Sequence, residues 1–151
     1  MAFFVYLGGA DVIAVVVDAF NKYTRTYVHD NILNILAAYP HIPSILILNK
    51  VDLVSKQHLI PLGENLMQSK TTDHKGIQFG GWDRFDEVHY VSALQCHGIQ
   101  ILLDYFLSTA REGAWEFDSD VYSDASYDFA ISEVFREKLL TMLGQEIPWQ
   151  V

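Results

Sequence analysis

Two unbroken apolar runs, at residues 12–17 and 45–48, constrain the fold of this chain more than any other feature. A strand that is apolar at every position has both faces buried, which is typical of a parallel sheet covered by helices. A further strand-like segment follows at residues 87–91. Segments with helical spacing separate these strands, so we predict an α/β fold with right-handed crossovers and a parallel sheet.

Three helices are predicted between and after the strands, over residues 31–38, 57–70 and 98–110. Pro40 and Pro43 end the first of them, because proline disrupts a continuing helix. Residues 71–81 are polar and contain glycine, so we expect a surface loop there. The predicted buried face of the third helix carries Ile99, Leu102, Leu103 and Phe106.

The motif Asn-Lys-x-Asp follows the second apolar run directly, at residues 49–52. A carboxylate at Asp52 can accept two hydrogen bonds from the N1–H and N2–H₂ edge of guanine, an edge that adenine lacks. Lys50 would lay its aliphatic stem along the purine face while its ammonium stays solvated. Asn49 would use its amide to tie the turn to neighbouring backbone or to the base. The structural alternative is a turn whose Asp caps the next helix.

A second candidate base contact, Ser92-Ala93-Leu94, lies between the strand at 87–91 and the third helix. In a nucleotide site the backbone N–H of Ala93 would donate to guanine O6. Small residues at the end of a strand are common, so this motif gains its weight from the first one. Together the two motifs predict a guanine-binding site formed by Asn49, Lys50, Asp52, Ser92, Ala93 and Leu94.

The order of these segments resembles the second half of a translation-factor-class GTPase domain. Residues 10–12 open a hydrophobic strand that ends at Asp18, and the two base motifs then follow in the order of that class. The tail, at residues 112–117, 132–140 and 145–149, resembles the linker and first KH helix of the Era GTPases. Trp82 and Phe85, together with residues 115–117, are similar to the animal mitochondrial Era-like branch.

The resemblance implies a domain plan. Residues 1–111 correspond to the C-terminal half of a P-loop GTPase domain, 112–124 to an acidic linker, and 125–151 to the start of a truncated KH domain. It also implies GTP or GDP as the ligand, with Mg²⁺ in the parent family, and small-subunit rRNA as a partner of the full-length family. The implied role is assembly of the small ribosomal subunit in mitochondria.

Two motifs of that family have no match in the sequence: the phosphate loop G-x-x-x-x-G-K-[ST] and the Gly-x-x-Gly loop of a KH module. The D-x-x-G switch is missing at the first strand, because Asp11 is followed by Val-Ile-Ala and Asp18 by Ala-Phe-Asn. Positioning and stabilising the phosphates supplies most of the catalysis of phosphoryl transfer. We therefore expect a fragment of an Era-like protein, with weak binding of guanine nucleotide, no hydrolysis alone and no identifiable Mg²⁺ ligand.

Composition limits the other classes of function. The single cysteine, Cys96, excludes an internal disulfide and suits a reducing compartment, and it is too close to His97 in sequence to share a metal site with it. The net charge of −9 is poorly suited to holding RNA unaided. An acidic cluster lacks the spacing of a calcium loop, so we interpret it as a solvated linker. Its members are Asp118, Asp120, Asp124 and Asp128.

Neither a membrane span nor a targeting segment is evident. Asp11 and Asp18 interrupt the longest apolar region, and a spanning helix needs about 20 predominantly apolar residues. The first seven residues are apolar without the arginines of a mitochondrial presequence. A mitochondrial location therefore rests on the resemblance alone.

Incomplete domains leave surfaces uncovered. The strand at residues 12–17 would lack one neighbour, so we expect an open sheet edge and self-association, unless residues 3–7 cover that edge. An amphipathic helix predicted over residues 125–143 should be under-buried or dock onto the front domain. Two other interpretations stay open: a non-enzymatic protein-interaction module on a remnant GTPase scaffold, and an unrelated flavodoxin-like or Rossmann-like enzyme.

Overall fold

The computed structural model describes residues 9–73, 75–114 and 126–142. The chain divides into two compact units between Arg111 and Glu112. The first unit contains strands β1 (Ile13–Asp18), β2 (Ser44–Asn49), β3 (Thr71–Thr72), β4 (Gln78–Phe79) and β5 (Glu87–Tyr90). Its helices are α1 (Asp30–Ala38), α2 (Lys56–Leu66) and α3 (Ile99–Thr109), with one 3₁₀ turn at Val51–Leu53.

The main sheet has three strands in the order β1-β2-β5, and both pairings are parallel. The register sets Asp18 opposite Asn49 and Leu48 opposite Tyr90. All three strands therefore end at the same edge of the sheet, where the two sequence motifs begin. The predicted α/β fold with a parallel sheet flanked by helices is confirmed.

The two faces of this sheet pack different amounts of apolar side chain. The face under α1 and α2 forms a cluster of ten buried residues, which are Val15, Ala19, Val28, Leu36, Leu46, Leu48, Leu59, Leu62, Leu66 and Phe85. The face under α3 buries three residues, Ile45, Ile47 and Val91, with partly buried α3 residues against them. We call these the large cluster and the small cluster.

Strand β1 forms one edge of the sheet in the described part of the chain. Its residues alternate between the two faces: Val15 is buried in the large cluster, whereas the neighbouring Val16 is 61% exposed. The predicted parallel strand is therefore present, but its second face is solvated at Val16. The expected cover from residues 3–7 lies outside the described residues.

The predicted loop at residues 71–81 is wrong in part, since it contains the antiparallel hairpin β3–β4. The Asp73 carboxylate closes its turn by accepting the backbone N–H groups of Lys75 and Ile77, both at 2.8 Å. The chain then returns to α2, where the N–H of Trp82 donates to Leu66 O at 3.0 Å. That carbonyl would accept from residue 70 in a longer helix, so α2 ends at Leu66 instead of residue 70.

Packing also corrects the predicted face of α3. Ile99, Leu102 and Phe106 lie against the small cluster as expected, but Tyr105 joins them and Leu103 is exposed. The Tyr105 ring meets the buried His89 ring edge-on, with ring centroids 5.2 Å apart. Tyr105 therefore belongs to the buried face of α3, and Leu103 does not.

The second unit contains helix α4, which spans Tyr127–Met142 within the predicted range 125–143. In the described part of the chain, α4 has no buried residue, and apolar side chains such as Phe129, Val134 and Phe135 are exposed. Asp128 lies in its first turn, whereas Asp118, Asp120 and Asp124 of the predicted acidic cluster fall outside the described residues. Residues 143–151, the predicted remainder of the KH module, also fall outside them.

Among the described helices, none is both long and apolar enough to cross a bilayer.

Candidate functional site

Asn49 joins the two sequence motifs at the carboxyl edge of the sheet. It is the last residue of β2, and its Oδ1 accepts the N–H of Lys50 at 2.8 Å and the N–H of Ala93 at 3.1 Å. A single side-chain oxygen therefore ties the Asn-Lys-x-Asp turn to the Ser-Ala-Leu segment, 44 residues further along the chain. The sequence predicted a tie from Asn49 either to neighbouring backbone or to the base, and these two bonds are to backbone.

Lys50 has a left-handed backbone, with φ 63° and ψ 36°. This conformation is uncommon for a residue with a side chain, and it turns the chain sharply from β2 into the 3₁₀ turn. The ammonium of Lys50 bonds to Asp18 Oδ2 at 2.6 Å, with the Lys50 side chain 51% exposed. The sequence predicted a solvated ammonium, whereas the structure gives it a carboxylate partner on β1.

Asp52 lies in the 3₁₀ turn Val51–Leu53, which a backbone bond holds against the end of β5. The N–H of Val51 donates to Val91 O at 3.2 Å. Among the described residues, none donates a hydrogen bond to the Asp52 carboxylate, so both of its oxygens are available to an incoming donor. Asp52 also does not serve as a helix cap, because α2 is preceded by Ser55.

The Ser-Ala-Leu segment forms a tight turn with three distinct environments. Ser92 is 1% exposed, and its Oγ accepts the N–H of Gln95 at 3.2 Å, so it holds the turn from inside. Ala93 is exposed and donates its N–H to Asn49, the group that the sequence assigned to guanine O6. Leu94 is 88% exposed at the tip of the turn.

Two left-handed residues close this turn before α3. Cys96 has φ 54°, Gly98 has φ 73°, and an antiparallel bridge joins Ser92 to His97. A Cβ on Gly98 would collide with the carbonyl oxygen of Tyr90, so only glycine fits there without a shift of backbone. The turn therefore fixes where Ala93 presents its amide.

A cavity of about 530 Å³ lies beside this corner, between the start of α2 and the turn that follows β5. It overlaps the predicted site only at Asp52 and Ser92. The other four site residues do not line it: Asn49, Lys50, Ala93 and Leu94. The other lining residues are Val51, Val54, Ser55, Lys56, Leu59, Ile60, Tyr90, Gln95 and His97. The cavity is a neighbour of the corner and is not the corner itself.

Asp18 is a site residue to which sequence reasoning gave no chemical role. Its Oδ1 accepts the N–H groups of Phe20 at 2.9 Å and Asn21 at 3.3 Å, while its Oδ2 holds Lys50. The hydrogen bond from Lys50 lowers the pKa of the Asp18 carboxyl, against the opposing effect of burial. The available signal was positional, since Asp18 and Asn49 both end parallel strands and such ends meet at one edge.

No group of three or more His, Cys, Asp or Glu side chains among the described residues is arranged to hold a metal ion.

Comparison with known proteins decides the family. The chain is 27% identical to the mitochondrial GTPase Era of Danio rerio over 93% of its own length, and 32% identical to the GTPase Era of Leuconostoc citreum over 94%. No protein-family profile matches it. The chain belongs to the Era family.

The fold agrees with a solved Era structure. An Era protein crystallised with MgGDPNP and a fragment of 16S ribosomal RNA matches 94% of this chain with a TM-score of 0.64 at 24% identity. The chain spans 41% of the Danio rerio relative, 42% of the Leuconostoc citreum relative and 43% of that structure. The predicted resemblance to Era GTPases, including the mitochondrial forms, is therefore confirmed over less than half of an Era protein.

Proposed function

We propose that this chain binds the base of a guanine nucleotide at the corner formed by the Asn-Lys-x-Asp and Ser-Ala-Leu segments. The observation that carries the proposal is the Asn49 Oδ1 to Ala93 N–H bond of 3.1 Å, which sets the two segments side by side. The Asp52 carboxylate accepts from guanine N1–H and N2–H₂. Guanine O6 replaces Asn49 Oδ1 as the acceptor of the Ala93 N–H, and the Lys50 stem covers one purine face.

The strength of this binding is limited by what the corner contacts. The proposed contacts reach the base alone, and charged groups for a triphosphate are absent from the residues assigned to the site. We expect a dissociation constant well above micromolar and no hydrolysis by this chain alone, because phosphate positioning supplies most of that catalysis. Sub-micromolar affinity or measurable GTP turnover by the purified chain would contradict this expectation.

The sharpest test exchanges the base preference. Asp52→Asn replaces two acceptor oxygens by an amide, which repels the guanine N2–H₂ donor and pairs with the O2 acceptor of xanthine. In titrations with labelled GDP and XDP, we expect the wild-type chain to prefer GDP and the variant to prefer XDP. Asp104→Asn, on the exposed side of α3 with only Gln100 as its bonded partner, is the matched control and should leave the preference unchanged.

A wider role follows from the relatives. We propose that the chain acts with small-subunit rRNA in mitochondrial ribosome assembly, supported by the mitochondrial Era relatives and by the Era structure that contains 16S rRNA. Cross-linking of the epitope-tagged protein in isolated mitochondria should enrich small-subunit rRNA over large-subunit rRNA. Equal recovery of both, or a tagged protein confined to the cytosol, would contradict this role.

The edge of the main sheet supports a further partner, a second copy of the chain. Strand β1 has no neighbour on its outer side among the described residues, and Val16 within it is exposed. Unpaired edge strands of apolar sequence associate readily. We propose weak self-association through β1, which light scattering across a concentration series should show as a rising mean mass; a monomer at all concentrations would exclude it.

Helix α4 favours a second candidate function, a protein-interaction module without nucleotide chemistry. Its exposed apolar residues are Tyr127, Phe129, Ile131, Val134, Phe135, Leu140 and Met142. Large exposed apolar surfaces mark interaction sites. The titrations with GDP and XDP separate the two candidates, because a pure interaction module shows no base preference and no response to Asp52→Asn.

A further inference from the structure

Asp18 lies at the junction between the exit of β1 and the corner. It is the last residue of β1 and sits directly opposite Asn49 in the parallel register. The N–H of Ala19, the next residue, donates to Asn49 O at 3.0 Å. The backbone thus brings the Asp18 carboxylate beside the turn that carries Lys50, although 32 residues separate the two in sequence.

The two oxygens of the carboxylate have separate tasks. Oδ1 accepts two backbone N–H groups, from Phe20 and Asn21, and this fixes the carboxylate relative to its own loop. Oδ2 holds the Lys50 ammonium at 2.6 Å. Because the carboxylate is anchored through Oδ1, it defines a fixed point in space for the end of a long side chain.

Lys50 is held at both ends as a result. Its backbone N–H is bonded to Asn49 Oδ1 at 2.8 Å, and its ammonium is bonded to Asp18. A free lysine side chain samples many rotamers, and ordering it on binding opposes affinity. Exposed ion pairs contribute little to folding stability, so the consequence of this pair lies in the order that it gives to the Lys50 stem.

We infer that Asp18 is a positioning residue of the guanine corner, which fixes the Lys50 stem in place before the purine stacks on it. The inference rests on the proposed function. Asp18 does not touch the base; it acts through Lys50 alone. Removing its charge should weaken GDP binding by about threefold to tenfold, the range expected when one exposed ion pair and the order of one side chain are lost.

A double-mutant cycle on GDP affinity tests whether Asp18 acts through Lys50. Asp18→Asn keeps an oxygen for the backbone N–H groups and removes the charge, and Lys50→Met keeps the stem and removes the ammonium. We expect Asp18→Asn to weaken GDP binding in the wild-type background and to change it less than about twofold in the Lys50→Met background. An equal loss in both backgrounds would overturn the inference, because a structural role is independent of the ammonium.

Asp30→Asn is the matched control. Asp30, the first residue of α1, forms an ion pair of nearly the same length with Lys70, at 2.7 Å. The variant makes the same chemical change away from the corner, so GDP affinity should stay within twofold of wild type. A loss equal to that of Asp18→Asn would assign the effect to charge in general and overturn the inference.

The lysine itself gives a readout that needs no nucleotide. In a ¹⁵N spectrum of the lysine ammonium groups at low temperature, the Lys50 signal should be protected from exchange in the wild type and in Asp30→Asn, and lost in Asp18→Asn. Persistence of the signal in Asp18→Asn overturns the inference. Failure of the wild-type chain to bind GDP would instead overturn the proposed function, and the ammonium signal would then decide only whether Asp18 orders Lys50.

Discussion

The two faces of the main sheet differ in how completely this chain covers them. The face under α1 and α2 closes over the large cluster, whose ten buried residues come from strands, helices, the segment between β1 and α1, and the segment between β4 and β5. The face under α3 buries three residues and leaves Val16 on β1 exposed. Helices α1 and α2 therefore complete one half of a layered α/β core, while α3 alone does not complete the other.

The residues that contribute most to folding stability are therefore different from the residues that form the guanine corner. The large cluster supplies most of the buried apolar surface, and burial of such surface is the main favourable contribution to folding. The guanine corner lies at the carboxyl edge of the sheet, belongs to neither cluster and consists largely of hydrogen bonds and exposed charges. Substitutions in the clusters and at the corner should therefore have effects of different size.

Truncation in the large cluster should have the largest effect. Leu66 is 0% exposed, and Leu66→Ala should lower the free energy of unfolding by about 2–5 kcal/mol, measured by urea denaturation. Leu107→Ala on α3, where the side chain is 76% exposed, is the control and should change it by less than about 0.5 kcal/mol. Equal losses at both positions would refute the asymmetry of the two faces.

A crowded contact on the covered face gives the next effect. Gly63 lies in α2 against Tyr90, and a Cβ there would collide with the Tyr90 hydroxyl oxygen. Gly63→Ala should lower the free energy of unfolding by about 1–3 kcal/mol, as overpacking does. Adding Tyr90→Phe removes the colliding atom and should recover at least half of the loss; no recovery would place the strain elsewhere.

Neighbouring residues on β1 compare the two faces directly. Val16→Lys places a charge on the exposed side, so we expect a change below about 0.5 kcal/mol in the free energy of unfolding and a lower mean mass by light scattering. Val15→Lys buries the same charge in the large cluster and should prevent folding. If Val16→Lys also prevented folding, the second face would be covered in solution.

The smallest effect is a pH dependence at the corner. The pKa of Asp18 is lowered in the folded state from 3.8, so its contribution to stability is present above that value and lost as the pH falls through the folded pKa. The wild type should exceed Asp18→Asn in melting temperature at pH 7 by a small margin that disappears below pH 3.8. If the difference in melting temperature grew on acidification, the pKa of Asp18 would be raised in the folded state instead of lowered.

Much of this fold was predictable because its strands and helices have strong local patterns. The unbroken run at residues 45–48 became the central strand β2, which is buried on both faces, and the spacing of Ile32 and Leu36 placed α1. Pro61 lies inside α2, where proline is usually unfavourable. Three fully or nearly buried leucines, Leu59, Leu62 and Leu66, hold that helix together across the hydrogen bond that proline removes.

What the sequence did not reveal depends on contacts between distant segments. The end of α2 is set by Trp82, which takes the Leu66 carbonyl, and the hairpin β3–β4 is closed by the side chain of Asp73. On α3, either Leu103 or Tyr105 satisfies helical spacing, and Tyr105 is the one that packs against the small cluster and the His89 ring on β5. Periodicity is a local property and carries no information about such partners.

One part of the candidate site was likewise predictable from local sequence, and another part was not. The residue types at 49–52 and 92–94 predicted the corner, and the shared edge of parallel strands explains why the structure brings Asn49 and Ala93 together. The ion pair of Lys50 with Asp18 was not predicted, because it depends on the left-handed backbone of Lys50 and on the register of β1 against β2.

The bond between Asn49 and Ala93 has a consequence for the energetics of any ligand. Because the Ala93 N–H already has an acceptor in Asn49 Oδ1, an arriving carbonyl oxygen substitutes for that acceptor without adding a hydrogen bond. The heat released on binding would then come chiefly from Asp52, whose carboxylate exchanges hydrogen bonds from water for hydrogen bonds from the base. A ligand that satisfied only the amide would gain almost nothing, so discrimination between purines is concentrated on one acidic side chain.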